Sequence, residues 1–73
     1  MKDAKNKIVE ALKIRPGMNA QAIQDFLNRA HAAEEGYLVR LALDKALTEL
    51  ELEGKIETVP TFVPVRYQNK GQL

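Results

Sequence analysis

The chain has no cysteine, no serine and no tryptophan, and a single histidine. Without cysteine there are no disulfide staples and no thiolate metal sites, which fits a reducing compartment. Without serine the commonest hydroxyl nucleophile is missing, and no glycine-rich loop offers a phosphate cradle. The lone His31 stands among alanines with no partners at ligand spacing, so it reads as a surface or cap histidine and no metal is expected. Glu34 and Glu35 are adjacent, and adjacent positions on a helix diverge too far to cooperate as acid and base. These absences argue against an enzyme and against a cofactor. Long apolar runs are missing too. The opening stretch MKDAKNKIVEALKIR is charged throughout, so neither a signal peptide nor a membrane span is expected, and the default location is cytoplasmic.

What is present describes an ordinary folded protein. Seventy-three residues, 45% hydrophobic and 29% charged, are enough for one domain, 1–73, with a single modest core. Any function must therefore use the surface. Eleven Lys and Arg against ten Asp and Glu leave a net charge of +1, so bulk charge does not name a partner.

The most informative stretch is Leu43 to Glu57, LDKALTELELEGKIE. Leu43, Ala46, Leu47 and Leu50 fall on one helical face, and Gly54 stands where a left-handed C-terminal cap is cheapest. The alternating residues Lys55 to Val59 and Phe62 to Tyr67, around Pro60 and Thr61, predict a hairpin in which Ile56, Val63, Val65 and Tyr67 supply a half-buried face. Upstream, periodicity predicts a first helix from Asp3 to Ile14, burying Ala4, Ile8, Ala11 and Leu12 and stopped by Pro16 and Gly17. Asn19 reads as the N-cap of a second helix running to Gly36. Its apolar stripe is Ala22, Ile23, Phe26, Leu27, Ala30 and Ala33, with Gln21, Gln24, Asp25 and Asn28 outside. A third helix spans Leu38 to Glu53, with Val39 added to its core stripe.

Three helices followed by a hairpin is where a resemblance enters. MNAQAIQDFLN resembles the second helix of a winged helix-turn-helix domain, and LDKALTELELEGKIE is similar to its recognition helix and first wing strand. The likeness is to small bacterial winged-helix transcriptional regulators of the fimbrial-operon type, and it spans Asp3 to Tyr67. It implies a mainly α fold with a small β-hairpin, three helices plus a wing, in a bacterial or phage regulator. It also implies double-stranded DNA as partner, with the third helix in the major groove and the wing on the backbone. Against that pattern, Arg29 to Gly36 stands as extra length where a tight turn is usual.

By helical phase, Leu38, Leu41, Ala42, Lys45, Thr48, Glu49 and Leu52 point outward from the third helix. The expected DNA-binding set is Arg40, Lys45 and Thr48 in the groove, with Lys55 and Arg66 on phosphates. The acids Glu49, Glu51, Glu53 and Glu57 would repel a duplex and belong away from it. The rival expectation is a protein-binding module that uses Leu38, Leu41, Leu52 and Phe62 as an apolar strip, and a homodimer stays open. Tyr37 and Tyr67 are candidates for stacking on a ligand, with core packing the better account of Tyr67.

Overall fold

The computed structural model describes residues 1–71; Gln72 and Leu73, the last positions of the expected domain, lie outside the described residues. The elements run α1 (Ala4–Ile14), β1 (Met18–Asn19), α2 (Ala20–Glu35), α3 (Arg40–Leu52), β2 (Ile56–Val59) and β3 (Arg66–Asn69). This is mainly α with a small antiparallel sheet, three helices followed by a wing, in a winged helix-turn-helix layout.

Four of the six helix boundaries have a local cause. Pro16 disfavours helical geometry in the residue before it, and α1 ends at Ile14 with Arg15 already extended. The Asn19 side chain accepts a 2.8 Å bond from the Ala22 amide and starts α2 as its N-cap. That helix then runs unbroken through Arg29–Glu35, as its periodicity predicts, so the extra length against the resembled pattern is helix. Three alanines and two glutamates there are good or adequate helix formers, and the stop is Gly36, whose φ of 84° suits glycine and whose amide bonds to the Ala32 carbonyl. Only residues 36 to 39 join α2 to α3, a tight connection. At the far end of α3 the Lys55 amide bonds to the Leu50 carbonyl and the Gly54 amide to that of Glu51, a Schellman cap with Gly54 at φ 72°.

The start of α3 departs from the sequence reading. The helix begins at Arg40, not Leu38, because both backbone groups of Leu38 are taken by α2. Its amide donates to Asn28 Oδ1, and its carbonyl accepts from Asn28 Nδ2 and Gln24 Nε2. Held extended, the chain drops Leu38 into the core at 3% exposure and turns Val39, the N-cap residue, out to solvent. Helical phase extrapolated past the true first turn had assigned these two side chains the other way round. Gln24 and Asn28, expected outside, are the clamp and lie partly buried.

The sheet has one strand more than the hairpin alone. β1 pairs with β3 and β3 with β2, both antiparallel, aligning Asn19, Arg66 and Val59 in one row and Met18, Tyr67 and Thr58 in the next. The second hairpin strand is shorter than the alternation from Phe62 predicts. Pro60 and Pro64 lack the N–H a ladder needs, so residues 60 to 65 form a loop in which Val63 is 98% exposed and Val65 is also exposed. Of the expected half-buried face, Ile56 is buried and Tyr67 packs partly against the core.

Ile8, Leu12, Ile23, Leu27, Leu43, Leu47 and Leu50 are fully buried where the three helices meet, and Met18, Ala20 and Leu38 close the cluster from β1 and the helix ends. The α2 stripe is narrower than its sequence implies: Ala22 and Phe26 are only partly buried, and Ala30 and Ala33 are exposed.

Candidate nucleic-acid interface

Residues four, three and four apart share one helical face, so Leu41, Lys45, Thr48 and Leu52 form the outermost row of α3, and all four are exposed. The two leucines at its ends are 82% and 83% exposed. Lys45 makes no ion pair among the described residues. Thr48 is less available than its composition implies, since its hydroxyl donates a 3.0 Å bond to the Asp44 carbonyl one turn back.

The two flanks of this row differ in charge. On the flank facing α1, Glu53 pairs with Lys5 and Glu49 lies 3.8 Å from the same ammonium. A hydrogen bond from Lys5 holds the Glu53 carboxyl below the usual carboxylate range, and the same bond raises the Lys5 ammonium. Of the acids that would repel a polyanion, Glu49 and Glu53 are thus turned aside and partly neutralised. On the flank facing the wing stand Arg40, Asp44 and Glu51, with Arg40 Nε 3.0 Å from Asp44 Oδ1. Burial raises the Tyr67 hydroxyl first, and the Glu51 and Asp44 charges add to the shift.

At the N-terminal end of that flank, α2, α3 and the wing enclose a groove of about 260 Å³. The first turn of α2 lines it with Asn19, Ala20 and Gln21, α3 contributes Arg40, and Pro64, Val65 and Tyr67 form the opposite wall. The first amides of a helix have no intrahelical acceptor and carry the positive end of its dipole, so this groove is electrostatically positive at its α2 wall. Arg66 pairs with Asn19 in the sheet but stands between the lining residues Val65 and Tyr67 and is not part of the lining. Its guanidinium lies 4.0 Å from the centre of the Phe62 ring and has no ion pair among the described residues.

The five expected DNA-binding residues are therefore split. Arg40 lines the groove, Arg66 lies outside its lining with its guanidinium over Phe62, and Lys45 and Thr48 follow along the outer row of α3. Lys55 is on the far side: its Nζ is 3.5 Å from Glu53, in the crevice between α1 and the end of α3. Of the expected apolar strip, Leu41, Leu52 and Phe62 are exposed, but Leu38 is core and can meet no partner. Asn19 and Gln21 are the wall residues that sequence reasoning did not select. The signal was their place in the first turn after a cap. Among the described residues no cluster of His, Cys, Asp or Glu is placed to hold a metal, and no helix is long and apolar enough to cross a membrane. No protein-family model matches the chain, and no curated protein matches it.

Proposed function

We propose that the chain is a DNA-binding protein of the winged helix-turn-helix type, acting as a bacterial or phage transcriptional regulator in the cytoplasm. The observation that carries this reading is the groove that Arg40 and the first turn of α2 line beside the exposed row of α3, with Arg66 on the adjoining strand. A duplex phosphate set there lies against the Arg40 guanidinium and the helix amides, which is the chemistry that positions a backbone. With the strand so placed, Lys45 and Thr48 point towards base edges. Leu41 offers the apolar contact that a thymine methyl takes.

Titration of a mixed-sequence duplex at low and physiological salt tests this. Arg40→Ala, Lys45→Ala and Arg66→Ala each weaken binding, and each lost phosphate contact lowers the salt slope by about 0.9. Absence of salt-sensitive binding by the wild-type chain would refute it.

The exposure of both Leu41 and Leu52 favours a second reading, a winged-helix module that docks a protein on the same row. In that case Leu41→Ala weakens capture of the partner more than Lys45→Ala, because a desolvated anchor outweighs a rim charge.

A further inference from the structure

We propose that the chain pairs with a second copy of itself through the outward face of α2, in an isologous antiparallel contact. The sequence writes that helix with more apolar surface than the fold covers. Ala22, Phe26 and Ala33 lie on its outer side with Arg29, at spacings of four, three and four, and Phe26 is only partly buried. Grooves of about 370 and 470 Å³ run along the two sides of Phe26 and Ala30, and Ile14 of α1 lines the larger one. Ile14 itself is 73% exposed.

Charge identifies the occupant. Arg15, Asp25, Arg29 and Glu34 border this face without an ion pair among the described residues, and Asp3, Lys7 and Glu10 line the larger groove. Asp25 takes only the amide of Gln21, at 3.0 Å, and Arg15 lies 5.9 Å from the centre of the Phe26 ring. A two-fold axis crossing α2 between Phe26 and Arg29 sets Ala22 against the partner's Ala33 and Phe26 against the partner's Arg29. Such an axis keeps each edge of the helix against the same edge of its copy. On one edge Asp25 then meets the partner's Arg29. This pair occurs twice, so two unpaired charges on each copy acquire opposite ones. Alanines at both ends allow the close approach of 8–10 Å that packed helices adopt. A standard interface of about 800 Å² per partner would use roughly a sixth of the chain's 4819 Å² surface.

The same symmetry leaves the Gln21 side of both helices on one side of the pair. The two grooves then face one way from opposite ends, the disposition a two-fold repeated duplex site requires. That consequence rests on the DNA reading; the contact does not.

Sedimentation equilibrium of the full chain, without DNA, is the test. The wild type moves from one chain towards two as concentration rises. Arg29→Asp and Asp25→Arg each place like charges together at two symmetric points and raise the dissociation constant by about tenfold or more, while the double variant restores it. Ala33→Gln, an exposed and helix-compatible change, blocks the close approach and weakens the pair without relying on charge. A wild-type chain that remains single up to about 1 mM, a pair indifferent to both reversals, or a double variant that stays dissociated would each overturn the proposal. A single chain here leaves DNA binding untouched, and absent DNA binding leaves the pair standing.

Discussion

The carboxamide of Asn28 bonds twice to one residue: it accepts from the Leu38 amide at 2.6 Å and donates to the Leu38 carbonyl at 3.1 Å. A side chain here replaces the neighbouring strand that an extended residue would otherwise pair with. It sets where α2 stops influencing the chain and where α3 starts, and so aims the row Leu41, Lys45, Thr48 and Leu52.

Asn28→Ala therefore lowers stability by about 1–3 kcal/mol, because it leaves a partly buried amide without its acceptor. Gln24→Ala has a smaller effect, since the Leu38 carbonyl keeps its bond to Asn28. Urea midpoints give the order, and hydrogen exchange at the Leu38 amide accelerates only in the Asn28 variant.

Leu47→Ala, at the centre of the helix cluster, costs about 2–5 kcal/mol through lost burial and a residual cavity. Val39→Ala stays within about 0.5 kcal/mol, as surface positions do. Equal thermal shifts for the two would contradict the corrected phase at the start of α3.

Gly54→Ala meets no steric obstacle, since nothing lies within 4 Å of the added carbon. It still costs about 1–2 kcal/mol, because φ is positive and an L-residue is strained there. Denaturant unfolding reads the loss.

The acid limb of stability follows from three glutamates. Bonds from Lys5, Lys7 and Gln68 hold Glu53, Glu35 and Glu57 respectively below the usual carboxylate range. A lowered folded value means that the stabilisation is complete above the ordinary carboxylate pKa and lost as pH falls through the folded one. Lys5 is raised, so its share is complete below the ordinary lysine pKa and lost as pH rises through the folded value. Lys5→Gln flattens both limbs of a melting temperature against pH curve and lowers the neutral plateau by the same small amount, as exposed pairs contribute little. An unaltered acid limb would disprove the assignment to this pair.

Lys55 and Arg66 separate composition from geometry. Arg66→Ala weakens duplex binding at low salt and lowers its salt slope, whereas Lys55→Ala leaves both nearly unchanged because its ammonium faces Glu53 on the α1 side. Equal effects would show that bulk charge rather than the groove governs binding.

The sequence by itself determined the elements and most of the core. The Asn19 cap, the stops at Pro16, Gly36 and Gly54 and the leucine row of α3 all act through neighbours within five positions, which local patterning records directly. Tertiary structure alone decided that Leu38 is core and Val39 surface, because that choice depends on Asn28, ten residues away. It also decided that Met18 and Asn19 join the sheet, since their partners lie in β3 and a strand of two residues has no periodicity to read. The division of the cations has the same origin. Lys55 and Arg66 look equivalent along the chain, but a helix cap turns one towards α1 and strand register sets the other beside α2. Helical phase reports direction about a single axis; how the axes pack, and hence which exposed charges meet, is set only when distant residues compete for the same buried space.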